Sequence, residues 1–471
     1  MFFHRRDTEV SQRFAESFSL RISARPLRLC GEIVFFFFVL STIAHAETYT
    51  VAPTQSIQAA INAAQPGDTI QVQAGTYNEN LTLNKSLTLI GQNKPIVRGT
   101  GKDSTIIVTA ENCTIQGFVI ERCGSDLQQE DSGLLLKSNY NHIADNELRD
   151  ILYGIYLLKS SDNTIQRNVI RGRPELEMGD RGAGLHLWNS PNNTLADNTI
   201  TEARDGMYIQ SSPGNLITRN RVTRLRYGLH FMNSDNNTFE DNIFSDNIAG
   251  AAIMYSKRIA LRRNAFINNR GFSSFGILFQ DCDECITENN FIINNACGVF
   301  LEALRKSRFT NNVIAENDVA MQIYSSASGC EFSGNNFVEN LSPLQLVGRE
   351  TDTRWQQNFW SDYDGYDLDS DGTGDVAHKV QNVFEYLEGN FPRLRLYFNS
   401  PAAQALATAE RTFPIIKGSS LADATPRSKA ASFTYPFTET ATQRAPQIVL
   451  AILSILMFGL AAATIWKGQR Q

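Results

Sequence analysis

Four stretches of the chain align without a gap: "GIYLLKSSDNTIQRNVI" from Gly154, "GLHLWNSPNNTLADNTI" from Gly184, "GMYIQSSPGNLITRNRV" from Gly206 and "GLHFMNSDNNTFEDNIF" from Gly228. Gly184, Gly206, Gly228 and Gly250 stand 22 residues apart, as do Gly276 and Gly298. An earlier copy begins at Gly133 and a later one at Gln322. A fixed period of this length commits a chain to stacking like units, because one unit alone cannot bury its apolar face. The longer spacings before Gly184 and Gly276 predict loops inserted into otherwise regular turns.

Within each copy the first and third residues after the glycine are apolar: Ile155 and Leu157, Leu185 and Leu187, Met207 and Ile209, Leu229 and Phe231. Alternation of this kind predicts short strands rather than helices. The leucine and asparagine spacing of leucine-rich repeats is absent. The expected fold is all-β, a right-handed parallel β-helix with 22-residue coils over residues 47–350. Fourteen residues after each glycine stands an asparagine: Asn168, Asn198, Asn220, Asn242, Asn264, Asn290 and Asn312. Stacked coils would bring these amides into one column, each bonded to the next. Near the start, "SIQAAINAAQPGDTI" places Ile57, Ala60, Ile61 and Ala64 on one helical face, ended by Pro66 and Gly67. This is an expected capping helix over the open end of the solenoid.

Both termini carry membrane signals. "IVFFFFVLSTI" (33–43) is too short to span a bilayer and is followed by Ala44-His45-Ala46, which predicts a signal peptide over 1–46 cleaved after Ala46. "IVLAILSILMFGLAAATIW" (448–466) is 19 residues without a charge, which predicts a C-terminal transmembrane helix. Lys467 and Arg470 then place a cytoplasmic tail at 467–471 and the body in the periplasm, tethered to the inner membrane. Residues 417–447, rich in Ser, Thr, Ala and Pro, read as a linker to that span. The net charge is -6, and the first 46 residues hold six arginines against four acids, so the remainder stands at -8. That balance argues against nucleic-acid binding. Six of the seven cysteines remain after cleavage. Cys113 and Cys123 are a candidate disulfide, and "CDEC" (Cys282, Cys285) reads as a redox or metal pair, a small disulfide or two packed thiols.

With positions one and three buried, positions two and four face outward. Position two carries Tyr156, His186, Tyr208 and His230, and position four carries Leu158, Trp188, Gln210, Met232 and Met254. Coils about 4.8 Å apart put the two histidines about 9.6 Å apart, with Tyr208 between them. His230, Met232 and Met254 are the candidate copper ligands, since imidazole and thioether together prefer Cu(I). Tyr156, His186, Trp188 and Tyr208 are the candidate partner-contact surface, exposed aromatic stripes being common docking faces. Asp180, Arg181, Arg204 and Asp205 read as solvated charges at the edge of this patch.

After the solenoid, residues 351–416 hold "NFWSDYDGYDLDSDGTGD" (358–375). Asp367, Asp369, Asp371 and Asp375 around Gly372 are a candidate calcium loop, although loop position twelve is His378 rather than a bidentate Glu. A short helix capped by Ser400 and Pro401 follows in "LRLYFNSPAAQALATAERTFP". The coils with these two segments resemble the periplasmic NosD proteins of nitrous oxide reductase maturation, over about residues 50–416. The resemblance implies an accessory protein rather than an enzyme. It implies work on the copper–sulfur centre of apo nitrous oxide reductase, with a membrane ABC transporter and a copper-delivering lipoprotein as partners. It supplies no residue-level copper motif. The other expectation is a cell-surface β-helix that binds or cleaves a polysaccharide, although neither acidic ladders nor a basic groove stands on the outward face.

Overall fold

The computed structural model describes residues 46–348, 351–380, 421–433 and the single residues 400, 401 and 405. The expected signal peptide up to residue 45, most of the short post-solenoid helix, the transmembrane helix and the cytoplasmic tail lie outside the described residues. Among the described residues no helix is long and apolar enough to cross a membrane.

The alternating pattern resolves into three sheets of sixteen, twelve and thirteen strands, parallel except where His378–Lys379 meets Ala422–Asp423, and each regular coil contributes one strand to each sheet. Successive coils pair in register, so Tyr208 sits between His186 and His230 as the 22-residue period requires. This is the expected parallel β-helix. Its interior is a continuous apolar column in which Ile155, Leu157, Leu185, Leu187, Met207, Ile209, Leu229 and Phe231 are fully buried. The inserted loops fall at 172–182, with a short 3-10 turn at Met178–Asp180, and at 268–275, where Phe272 is 97% exposed.

The repeating glycine has a specific task at the entrance to the twelve-stranded sheet. A Cβ on Gly206 would lie 2.2 Å from Val222 Cγ1 and 2.6 Å from the Gly228 carbonyl oxygen. The glycine therefore faces the packed interior, and so does the residue after it. Alternation is broken at that bend, and the residue before the glycine turns outward, which matters for Asp205 below.

The asparagine column is present. Asn168 donates to Asn198 Oδ1 at 3.0 Å, Asn198 to Asn220 at 3.0 Å, and the series continues through Asn242, Asn264, Asn290, Asn312 and Asn335 to Asn358. A second column runs Asn141, Asn163, Asn193, Asn215 and Asn237, and a third Asn247, Asn269, Asn295, Asn317 and Asn340. Each amide fills backbone donors and acceptors that the corners would otherwise bury unpaired, at about 1–3 kcal/mol each.

At the N-terminal end, helix Ile57–Ala63 begins at Ser56, whose side chain accepts from the Ala59 N–H. Glu79 accepts from the Ile57 and Gln58 N–H groups, completing the satisfaction of its first turn. Ile57 and Ile61 are buried, and the helix lies against strands Thr48–Val51, Thr69–Val72 and Leu81–Leu83.

The C-terminal end corrects two expected boundaries. The solenoid continues past 350 to strand Phe359–Trp360, which pairs with Asn336–Val338. Residues 421–433, expected within a linker, instead pack on that end. Strand Ala422–Asp423 pairs with Asp352–Gln356 and His378–Lys379. Arg427 donates to the Gly334 and Asn335 carbonyl oxygens and to Asn336 Oδ1. The reason is an open asparagine column: Asp423, fully buried, takes the position of its next rung.

Candidate functional site

The outward face of the twelve-stranded sheet carries three columns of side chains. Tyr153, Ala183, Asp205 and Tyr227 form the column ahead of the glycines, and Tyr156, His186, Tyr208 and His230 form the middle one. Trp188, Gln210, Met232 and Met254 form the third. His186 stacks on Tyr156 with ring centroids 4.4 Å apart and meets Tyr208 edge-on at 4.9 Å. Tyr208 in turn meets His230 edge-on at 4.9 Å.

Asp205 is the group that the sequence concealed. Strict alternation would send it inward, and its place at the edge of the patch suggested a solvated charge. The glycine bend turns it outward beneath its neighbours, where it is fully buried. Arg226 grips both carboxylate oxygens at 2.9 and 2.7 Å, Arg204 lies at 3.4 Å and His230 Nδ1 at 3.4 Å. Burial alone would raise this carboxyl's pKa, but the hydrogen bonds and charges of His230 and Arg226 outweigh it and hold the group below its ordinary range. The signal available in the sequence was an acid directly before a repeat glycine, opposite Tyr227 on the next coil.

Met232 and Met254 are direct register partners on adjacent strands, and His230 stands two residues before Met232 on the same face. All three are half-buried. The candidate copper ligands are thus brought together, whereas His186 stands two strands away from His230. Asp205 holds His230 through Nδ1, and among the described residues Nε2 has no hydrogen-bonded partner, leaving it available as a ligand. Met254 also packs against a buried cluster of Ala249, Ala252, Phe275, Cys297 and Val319, with half-buried Tyr227, Leu278 and Phe300 against the same cluster.

The expected contact surface is only half realised. Trp188 and Tyr208 are half-buried, but Tyr156 and His186 are each 4% exposed. Glu130 covers them, 3.9 Å from His186 Nδ1, and burial together with this neighbouring carboxylate pushes the Tyr156 hydroxyl's pKa up. Neither ring nitrogen of His186 has a hydrogen-bond partner, and burial, aided by the Arg204 charge, pulls its pKa down to about 3.

The acidic turn gathers Asp367, Asp369 and Asp371, with ligand oxygens within 4.8 Å of one another. Asp367 accepts from Gly372 N–H and from Ser428 of the packed segment, while Asp375 is turned to Leu368 N–H. His378, the departure from a calcium loop, stacks on Trp360. The expected Cys113–Cys123 disulfide is absent, because the two thiols occupy different corners of one coil. Cys113 faces the Lys85 and Ala110 carbonyl oxygens, and Cys123 faces those of Gly124 and Asp131.

A family of proteins described as "Periplasmic copper-binding protein (NosD)" matches the chain over residues 61–179 and 170–365. The chain belongs to the NosD family. This NosD-family chain is 30% identical over 380 residues to the "Probable ABC transporter binding protein NosD" of Stutzerimonas stutzeri, covering 76% of the chain and 86% of the relative. The protein of the same name from Pseudomonas aeruginosa is 30% identical over 372 residues, covering 75% and 86%. These relatives are named as binding proteins rather than enzymes. Among solved structures, a mannuronic acid specific polysaccharide family 6 lyase from human gut microbiota superposes with a TM-score of 0.51 at 12% identity, covering 68% of this chain and 89% of the lyase. That likeness shows the fold alone.

Proposed function

We propose that this NosD-family chain carries Cu(I) in the periplasm at His230, Met232 and Met254 and hands it on during maturation of the copper–sulfur centre of nitrous oxide reductase. One observation carries the reading. A soft donor set stands on one outward face, with its imidazole held by a buried carboxylate that is itself locked by Arg226. An imidazole with two thioethers suits Cu(I) over zinc or calcium, and an anchored His is the usual arrangement behind a metal ligand. The names of the relatives support an ABC transporter as partner. A copper-delivering lipoprotein and apo nitrous oxide reductase complete the scheme, with half-buried Leu278 and Phe300, packed on the same cluster as Met254, as the contact. The run at 448–466 would tether the chain to the inner membrane, and helix Ile57–Ala63 would close the N-terminal end of the solenoid. The polysaccharide alternative finds no support in Asp205, which is engaged by Arg226 and His230.

The test is in a denitrifying host carrying His230→Ala, Met232→Ala and Met254→Ala together. Nitrous oxide reductase purified from it is expected to have lost at least about tenfold of its copper–sulfur centre, read by metal analysis and visible absorption. Full occupancy with the variant chain present at normal level would contradict the reading.

The acidic turn has a smaller part. Calcium across Asp367, Asp369 and Asp371 would pin the turn to Ser428 and so to the segment that closes the solenoid. Millimolar calcium is expected to raise Tm by a few degrees, in line with linkage of binding to folding. An unchanged Tm would leave the turn held by its hydrogen bonds alone.

A further inference from the structure

The corner between the twelve- and sixteen-stranded sheets repeats a Ser-x-x-Asn pair. Asn141 Nδ2 donates to Ser138 Oγ at 3.0 Å and Asn163 Nδ2 to Ser160 Oγ at 2.8 Å, so this bend holds side chains three residues apart against one another. In one coil the same two positions are Cys282 and Cys285. They follow Ser256 and Ile259 of the preceding coil and precede Leu304 and Ser307 of the next. In this structure both are free thiols, fully or almost fully buried, with Cys282 Sγ facing the Ile253 and Gln280 carbonyl oxygens and Cys285 Sγ facing that of Asp283.

We propose that Cys282 and Cys285 close into a disulfide across this corner in the oxidising compartment to which the chain is delivered. The position is where a covalent link replaces something lost. The second asparagine column stops at Asn237, because Ile259 supplies no amide, and a side-chain link resumes only where Cys285 N–H donates to Ser307 Oγ at 2.9 Å. A neutral disulfide also suits the surroundings better than a bis-thiolate metal site. Arg305 is spent on Asp281 and Asp283 at 2.8 and 2.6 Å, and Arg258 on Asp235 at 3.3 Å. Among the described residues Lys257 is likewise on Asp283 at 3.5 Å, so none of these three cations is free to balance two buried thiolates.

The reaction is thiol–disulfide exchange with a disulfide oxidant, before the corner is packed. One cysteine thiolate attacks a sulfur of the oxidant, giving a mixed disulfide and releasing one oxidant thiol. The second then displaces the other oxidant sulfur. Two protons leave the pair, two electrons pass to the oxidant, and the oxidant departs as a dithiol. Once folded, burial shields the bond from reductants.

The experiment uses the full chain made in a bacterial periplasm and denatured in excess alkylating reagent without reductant. The peptide containing Cys282 and Cys285 is expected to be unalkylated and lighter by two hydrogens than its reduced form. Reductant is expected to open it, and a copper chelator to leave it unchanged. Alkylation of both thiols without reductant would overturn the proposal, as would release by the chelator alone, the mark of a bound Cu(I). The double variant Cys282→Ser with Cys285→Asn restores the neighbouring corner chemistry. Its four other described cysteines are expected to alkylate equally with and without reductant, and a reductant-dependent gain there would place the bond elsewhere and overturn the assignment.

Discussion

Replacing Asp423 by alanine is expected to destabilise the C-terminal end of the solenoid by about 3–6 kcal/mol, the largest single-site loss outside the apolar core. One carboxylate oxygen, Oδ2, accepts from Asn358 N–H and Asn358 Nδ2 at 2.9 Å and from Trp360 Nε1 at 3.2 Å. Its other oxygen accepts from Thr425 N–H at 3.1 Å. Asn358 is the last amide of a buried column, so alanine leaves buried donors with nothing to bond. Asp423→Asn is the informative companion, because it keeps an acceptor but turns a donor toward donors. Proteolysis of the native protein reads the effect locally: cleavage after residue 350 is expected to accelerate in both variants, more in the alanine one. Unchanged cleavage rates would show that the segment 421–433 does not close the column.

A second large effect is expected from pH. The buried His186 ring has its pKa drawn down to about 3, against about 6.5 in the unfolded chain. Between those values the unfolded chain binds a proton that the folded chain refuses, so stability falls as pH falls. The loss is up to about 1.4 kcal/mol for each unit in that window. Arg204 reinforces the depression and Asp205 opposes it. Lowering the pH from 7 to 5 should therefore cost the wild type about 2 kcal/mol more than His186→Phe, which keeps an aromatic ring against Tyr156 and Tyr208 without a titrating group. The two denaturation midpoints should separate below about pH 6.5 and run parallel above it. Parallel curves throughout would mean that water or movement of the Glu130 cover reaches the imidazole. Asp205 acts lower on the scale. With its carboxyl held below the ordinary range, its contribution persists above the unfolded value and is lost only as pH drops through the depressed one.

The fold was legible because its cause is periodic. A 22-residue spacing with inward Ile155 and Leu157 and their equivalents leaves few solutions other than stacked strands. Asn168 and its successors could be read as a column because registry alone demands it. The site was legible in position but not in burial. His230, Met232 and Met254 follow from register, yet nothing in a repeat says that Glu130, just before strand Ser132–Leu136, will cover Tyr156 and His186. Asp205 was hidden by the very rule that revealed the strands, since the bend at Gly206 reverses alternation for one residue. The closing segment was hidden for another reason. Its composition reads as a linker, and its place is set by one residue, Asp423, meeting an open column far away in sequence.

The central claim is that soft donors on the outward sheet hold copper. It is tested most directly by Cu(I) competition titration of the purified chain against a chromogenic chelator, beside the variant carrying His230→Ala, Met232→Ala and Met254→Ala. The expected result is one Cu(I) per wild-type chain and at least about a hundredfold weaker binding by the variant, since removing all three ligands leaves no soft donor set on this face. An affinity unchanged in the variant, or no binding by the wild type, would contradict the account.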